Sequence, residues 1–301
     1  MGTKTATGTA QSTPVRAACA ALLWEACRRE TDVEAVAAAV PGLRAGVAAG
    51  FDPEALVRAA VDHGVGQLMW RALTAAGCED VLGDAGALLD AAAEVHRFEA
   101  LLLLPRAVAH AVGPLVDAGL EPVVFKGPAV ASRYPEPGLR HMEDIDLLLP
   151  KRSHRAALTA LTRSGWDVVR GAAGDRYDTV LRHPDVSPLV LELHYGLEAW
   201  YEKTTRLDAE QLWRRRVEAD ILGTAAFVLP VEDELVALAA HAGKPFHGFR
   251  RLVWIADLAM CVGAAAASSA PVDWDAVHEL ARRSRCATVV SVALAMAGPI
   301  G

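Results

Sequence analysis

The chain lacks the loop motifs and cysteine clusters that identify several common classes of binding site. Neither the phosphate-binding pattern GxxxxGK[ST] nor the dinucleotide-binding pattern GxGxxG occurs in it. No two cysteines form a CxxC pair, and the five are widely spaced, at Cys19, Cys27, Cys78, Cys261 and Cys286. This odd, scattered set argues against a zinc knuckle or a disulfide framework and predicts reduced thiols in a cytoplasmic protein.

Long apolar runs and a basic charge balance are also missing. No apolar run approaches the roughly 20 residues needed to span a bilayer, so we expect no membrane association. The formal net charge of the 301 residues is −7, which disfavours a broad surface for binding nucleic acid. Small molecules, metal-bound nucleotides or a protein partner fit this charge better. The 52% of hydrophobic residues is enough for a substantial core.

Composition divides the chain into four regions. Residues 1–15 are rich in Thr, Ala, Gly and Ser and have no apolar segment, which predicts a disordered tail. Residues 16–118 are dominated by helix formers and predict an N-terminal helical region. Residues 119–204 predict a small mixed α/β core, and residues 205–301 predict a C-terminal helical domain. The fold class expected is therefore α+β, with a mixed sheet flanked by helical segments.

Within these four regions, secondary structure is predicted from apolar runs and from apolar/polar alternation, both bounded by turn residues. Strands are predicted at residues 122–125, 144–149, 166–170, 178–182 and 189–195. Helices are predicted at residues 151–164, 207–217, 231–243, 250–263, 273–284 and 287–297. A long helix from about Ala85 through the leucine run at 101–104 is expected to kink or end at Pro105.

Two aspartates on one predicted strand are the main chemical signal. Asp144 and Asp146 are separated by one residue, so their carboxylates share a face while Ile145 and Leu147 point into a core. Paired carboxylates repel each other unless a cation compensates them, and Mg²⁺ prefers such oxygens. A pair of aspartates at i and i+2 on a rigid strand suits bridging the two ions of a two-metal phosphoryl-type transfer. An isolated DxD is more often a solvated strand end or half of a Ca²⁺ site, so this interpretation depends on the neighbouring residues.

Two further segments carry suitable residues. Lys126 and Gly127 follow the preceding strand, where a glycine lets backbone amides approach a phosphate and a lysine adds charge. On the last predicted strand, alternation puts Glu192 and His194 on one face, and Glu192 could be a third carboxylate. Taken alone, Glu192 would more often be a surface residue and His194 a satisfied polar side chain.

Other candidates are basic residues near these segments. Arg140, four residues before Asp144, could hold a phosphate or could be a solvated loop residue. His241, Lys244 and Arg251 surround a predicted helix–loop–helix and could reach the same cleft, so Lys244 is a second candidate nucleotide contact.

These residues together resemble a known family. The segment FKGPAVASRYPEPGLRHMEDIDLLLP (Phe125–Pro150) is similar to the signature of the uncharacterised bacterial nucleotidyltransferases, within the polymerase-β-like superfamily. The similarity continues through Leu191–Tyr195, Asp233–Ala242 and Leu252–Leu258, and it covers most of residues 50–300.

The resemblance implies a polymerase-β-like core and a metal-dependent transfer of a nucleoside monophosphate. The donor would be a nucleoside triphosphate (NTP) with Mg²⁺ or Mn²⁺, the acceptor a hydroxyl of a small molecule or peptide, and pyrophosphate the second product. Asp144, Asp146 and Glu192 would be the catalytic acids and metal ligands, and Lys126 and Gly127 would contact the NTP. Such proteins often accompany natural-product biosynthesis, which makes a tailoring or resistance role plausible.

One departure from the superfamily pattern keeps alternatives open. Superfamily members usually carry Gly-Ser at the turn, whereas this chain has Gly127-Pro128, and proline supplies neither an amide nor a hydroxyl to a phosphate. Lys126 would then replace part of the triphosphate contact. An inactive nucleotide-binding or protein-interaction module is the first alternative, and a toxin-like enzyme acting on tRNA, disfavoured by the charge of −7, is the second.

Overall fold

A computed structural model describes residues 13–171, 177–197 and 205–298 of the chain. The N-terminal part is helical, with α1 (Thr13–Ala26), α2 (Val33–Ala48), α3 (Pro53–Asp62), α4 (Gly66–Ala75), α5 (Asp84–Phe98) and α6 (Leu104–Asp117). Most of the predicted tail, residues 1–12, lies outside the described residues, and the first helix begins two residues before the predicted end of that tail.

The remaining elements alternate between strands and helices before a closing run of helices. The strands are β1 (Val123–Phe125), β2 (Asp144–Leu148), β3 (Asp167–Arg170), β4 (Asp178–Arg182), β5 (Val190–His194), β6 (Val217–Ile221) and β7 (Thr224–Val228). The helices are α7 (Gly127–Ala131), α8 (His154–Arg163), α9 (Ala209–Arg214), α10 (Val231–Ala242), α11 (Leu252–Ala266), α12 (Trp274–Arg283) and α13 (Ala287–Ala297).

All these strands form one mixed sheet in the order β3-β4-β5-β2-β1-β7-β6. The central strands β2 and β5 run parallel, β1 is antiparallel to β2, and β7 is parallel to β1. The register pairs Asp146 with Phe125 on one side and with Glu192 on the other. Because paired residues share a face, the residues expected to do chemistry meet at the middle of the sheet.

The two faces of the sheet pack against different layers. On one face, Val124, Ile145, Leu147, Leu191 and Leu193 join a core with α6 and α8. On the other, Val123, Phe125 and Leu148 join a larger core with the N-terminal helices and the C-terminal helices α10 to α13. The acidic residues belong to this second face. The site is therefore bordered both by the N-terminal helices and by the C-terminal helices.

The long helix predicted around the leucine run does not end at its proline. A π-helical turn at Glu99–Leu103 joins α5 to α6 just before Pro105, and this break in the regular hydrogen-bond ladder accommodates the missing amide of the proline. The continuous helix Asp84–Asp117 is long and apolar enough to cross a membrane by length and composition alone. Long helices packed in a protein core give the same signal, and α6 packs on the sheet.

The structure confirms the α+β class and all five predicted strands, but it corrects the predicted C-terminal region. Residues 217–228, expected to lie in a wholly helical segment, form the hairpin β6–β7 at the edge of the sheet. The hairpin turns at Leu222 and Gly223, which both have positive φ, as such tight turns require. In addition, the short helix α7 occupies the start of the Gly127–Met142 stretch. The proposed division into domains remains a prediction.

One glycine fixes the approach to β2. Gly138, with φ +86°, lies so close to α5 that an added Cβ would be 2.7 Å from the Cα and backbone nitrogen of Arg97. The loop between α7 and β2 therefore presses its backbone directly on the helix. Gly119 also has positive φ, at +73°, but no atom lies within 4 Å of its Cβ position.

These two glycines form a matched pair for a stability test. Gly119→Ala should lower the free energy of unfolding by about 1–2 kcal/mol, the cost of the left-handed conformation. Gly138→Ala should cost about 1–3 kcal/mol more, because the backbone of α5 would also have to move. Urea unfolding of both variants would measure the difference, and equal losses would contradict the close packing of this loop.

Candidate active site

The acids of the predicted site are brought together by strand pairing. Asp144 and Asp146 lie on one face of β2, Glu192 and His194 lie on one face of β5, and Asp146 is the direct partner of Glu192. Both alternation patterns expected from the sequence are therefore present. Three carboxylates and an imidazole from two adjacent strands converge at the centre of the sheet.

Asp146 is the most enclosed of these carboxylates, with a side chain 5% exposed. Its Oδ1 accepts hydrogen bonds from Lys126 Nζ at 3.1 Å and from His194 Nε2 at 2.8 Å. Burial by itself would raise the pKa of Asp146, but the charge of Lys126 and the hydrogen bond from His194 outweigh it and hold the pKa below its usual range. Asp146 is thus an anion at neutral pH.

His194 connects two of the acids. Its Nε2 lies 2.8 Å from Asp146 Oδ1 and 3.4 Å from Glu192 Oε2, and its ring packs edge-on against Phe125. Burial would lower the pKa of His194, but the hydrogen bonds to the two carboxylates outweigh it and raise the pKa. A raised pKa favours a ring that donates from Nε2, which suits a positioning role for the carboxylates.

Asp144 lies at the more open end of the group. Burial, together with the negative charges of Asp146 and Glu192, raises the pKa of Asp144 to about 6, while Lys126 and Arg140 oppose the shift. Its carboxylate is therefore ionised at neutral pH at a free-energy cost. A bound cation would remove that cost, so the residue is poised to accept one.

Lys126 and Gly127 border the acids, as predicted. Lys126 directly follows β1 and has a positive φ of 51°, a conformation more usual for glycine. Gly127 is buried, and an added Cβ would lie 3.2 Å from the carbonyl oxygen of Asp144. The backbone after β1 therefore lies close to β2 and leaves little room for a side chain at position 127.

A cavity of about 290 Å³ opens above the acids, and its wall includes residues from distant parts of the chain. His241 and Arg251 line it, as expected, and Gly64 brings in the N-terminal helices. His247 and Trp254 line it too, with their rings stacked at 4.7 Å, and these two were not predicted. Trp254 lies inside the family-like segment 252–258, which was the only available signal for it.

Arg140 lines this cavity but is already paired. Its Nε and Nη2 donate to the two carboxylate oxygens of Asp257 at 2.8 and 2.9 Å, and Tyr134 Oη donates to the same group at 2.7 Å. The Asp257 side chain is 1% exposed, which identifies it as a buried polar anchor between α11 and the loop before β2. The expected contact of Arg140 with a phosphate remains a prediction, and the observed pairing competes with it.

Lys244 is the predicted residue that the structure places apart from the acids. Its Nζ donates to Tyr177 Oη at 3.1 Å and to the carbonyl of Leu197 at 2.9 Å. It borders a smaller neighbouring space together with Lys126 and His241, and it does not line the cavity above the acids. A contact between Lys244 and an NTP stays a prediction.

The donor set fits a hard divalent cation. Ligand atoms of Asp146, Glu192 and His194 lie within 4.8 Å of one another, and Asp144 adds a third carboxylate from the same face. Carboxylate oxygens are the ligands that Mg²⁺ and Mn²⁺ prefer, while the imidazole of His194 is engaged by Asp146 and positions that carboxylate. The residues present can therefore hold such an ion.

Comparisons with known proteins identify the family of the chain. A family model described as uncharacterised nucleotidyltransferase matches residues 49–299. Two solved structures are similar to the chain. The antibiotic-resistance factor ANT(2'')-Ia is 16% identical, and the match covers 63% of this chain and 96% of that chain with a TM-score of 0.37. An antigenic nucleotidyltransferase-like protein from Paracoccidioides brasiliensis is also 16% identical, and the match covers 62% of this chain and 92% of that chain with a TM-score of 0.36. No curated protein matches the chain. The family match confirms the resemblance found in the sequence.

The raised pKa of Asp144 predicts a pH-dependent stability in metal-free buffer. The folded state binds the proton more tightly than the unfolded state, so stability is lost as pH rises from 3.8 to about 6. Asp144→Asn should therefore be more stable than wild type by about 1–2 kcal/mol at pH 7.5, allowing for screening, and equal to it near pH 4. Urea unfolding with a chelator measures this, with the exposed Asp167→Asn as control. A gain independent of pH would contradict the assignment.

Proposed function

The chain belongs to the uncharacterised nucleotidyltransferase family, and on that premise we propose that it is a metal-dependent enzyme acting on an NTP and a small acceptor. Membership makes it a transferase of nucleotidyl groups. The reaction proposed is transfer of a nucleoside monophosphate to a hydroxyl of a small molecule or peptide, with release of pyrophosphate. The observation that carries the proposal is the convergence of Asp144, Asp146 and Glu192 beside Lys126.

Asp144, Asp146 and Glu192 would hold the Mg²⁺ or Mn²⁺ ion. When bound, the ion supplies positive charge that stabilises the reacting phosphate and the leaving pyrophosphate. Asp146 is kept ionised by Lys126 and His194, and Asp144 is ionised above pH 6, so both can serve as ligands at neutral pH.

Glu192 is the residue suited to receive the proton of the acceptor. Its side chain is 27% exposed toward the cavity, and His194 limits its movement from the buried side. In the proposed reaction the acceptor oxygen attacks the α-phosphorus, and its proton passes to Glu192. The bond between the α-phosphorus and the oxygen bridging to the β-phosphate then breaks, and pyrophosphate leaves.

The cavity wall offers a place for the nucleoside. The stacked rings of His247 and Trp254 present aromatic surface, on which a base can stack. Arg251 lies beside them at the start of α11 and adds positive charge near the phosphates. The proposal therefore places the base toward α11 and the triphosphate toward Lys126 and the acids.

A second cavity suits the acceptor. It has about 380 Å³ and shares Arg140, His141, Met142 and Glu143 with the cavity above the acids. Its other walls are largely apolar, from the π-helical turn and the residues before β5. A pocket of this size holds a molecule of a few hundred daltons, which agrees with a small acceptor better than with a nucleic acid.

The function is tested by following pyrophosphate release. The four NTPs would be screened with Mg²⁺ and with Mn²⁺, in the presence and absence of cell extract as a source of acceptor. Asp144→Ala/Asp146→Ala should lower release by at least about 10³-fold and abolish nucleotide-coupled metal binding in calorimetry, because the ligands are gone. Asp167→Ala, exposed on β3, is the control. Unchanged metal binding in the double variant would rule out this site.

The roles of Glu192 and His194 are separable by substitution. Glu192→Gln keeps the shape but removes the charge, and it should lower the single-turnover rate by about 10²–10⁴-fold and weaken metal binding. His194→Asn should leave metal binding intact and lower the rate by about tenfold, because Asn is too short to hold Asp146. Rates across a Mg²⁺ titration would test both. A near-normal Glu192→Gln with an inactive His194→Asn would point to a histidine-assisted mechanism.

A further inference from the structure

Lys126 occupies a backbone conformation that its residue type disfavours. Its φ of 51° and ψ of −137° lie in a region that is readily accessible only to glycine. The residue sits between β1 and α7, where a glycine would make the same turn without strain. A strained non-glycine residue at a functional site is a reason to ask what its side chain supplies.

The Lys126 side chain supplies a fixed positive charge next to the central acid. Its Nζ lies 3.1 Å from Asp146 Oδ1 and 4.7 Å from the centroid of the Phe125 ring, and the side chain is 18% exposed. The ring and the ion pair together limit its movement. The remaining exposed part faces the cavity proposed for the NTP.

Both lone pairs of Asp146 Oδ1 are engaged by hydrogen bonds. A carboxylate oxygen offers two lone pairs, and Oδ1 already accepts from Lys126 Nζ and from His194 Nε2. Only Oδ2 remains for a metal ion. Two-ion sites hold their ions about 3.5–4 Å apart through shared carboxylates, and the central acid here cannot offer one oxygen to each of two ions.

We infer that the site takes a single divalent cation and that the Lys126 ammonium stands in place of a second one. The ammonium bridges Asp146 and the incoming phosphate, which is what a second ion would otherwise do. This inference rests on the proposed function. It also explains how Lys126, for which the sequence predicted only a contact with phosphate, can at the same time pair with an acid.

Electron paramagnetic resonance of Mn²⁺ tests this directly. The chain would be loaded with Mn²⁺ and the α,β-methylene analogue of each NTP, which is not cleaved, and then separated from free ions by gel filtration. Wild type should retain Mn²⁺ with the spectrum of isolated ions. Lys126→Gly, which removes the ammonium and the backbone strain together, should give the exchange-coupled spectrum of two neighbouring ions.

Two variants control for other effects of the substitution. Lys126→Arg keeps a positive charge at the same backbone position and should retain the isolated-ion spectrum. Arg285→Gly relieves the backbone strain of an exposed residue that has nearly the same φ, 54°, and it should leave the spectrum unchanged. Thermal unfolding of all variants shows that they are folded.

The outcomes separate this inference from the proposed function. An exchange-coupled spectrum in wild type would overturn the single-ion site and leave metal-dependent transfer standing. An isolated-ion spectrum in Lys126→Gly would also overturn it, because the lysine would then not exclude a second ion. Failure of wild type to retain any Mn²⁺ would instead remove the proposed function and this inference together.

Discussion

The negative charge of Asp146, buried at the centre of the sheet, is the constraint on which the site depends. An unpaired carboxylate in this position would cost several kcal/mol, so the strands on either side must compensate it. Lys126 arrives from the end of β1 and His194 from the end of β5, one from each neighbouring strand. The pairing of Asp146 with Lys126 and His194 also fixes the positions of the other acids. Glu192 lies on the same face of β5 as His194, and Asp144 lies on the same face of β2 as Asp146.

A second buried carboxylate plays the same part for the loop that borders the site. Asp257 on α11 receives a bidentate pair from Arg140 and a hydrogen bond from Tyr134, both on the stretch between α7 and β2. Moving the loop away would separate Arg140 from Asp257 and leave a buried charge uncompensated. The ion pair therefore holds the loop to the C-terminal helices. The same loop forms the wall shared by the two cavities, so this pairing also shapes the space proposed for substrate and acceptor.

Local pattern predicted most of the fold, and its failures have physical reasons. The five predicted strands are short apolar or alternating runs rich in Val and Leu and bounded by turn residues, which is the usual signature of a strand. The prediction of a wholly helical segment was wrong at the hairpin β6–β7, because Ala and charged residues dilute the strand pattern there and the preceding α9 has a helical composition. Its stability comes from pairing with β1, a contact between residues about a hundred positions apart. No local propensity reports such a contact.

The sequence by itself determined which side chains share a face, since alternation is a property of any strand: Asp144 with Asp146, and Glu192 with His194. It also determined the family, through the residues around these acids. Only the tertiary structure decided that β2 and β5 are neighbours, that Lys126 turns onto Asp146, and that Arg140 and Lys244 are bound elsewhere. The reason is that strand order and ion pairing depend on which distant segments meet, and the free energy of burying each charge selects its partner.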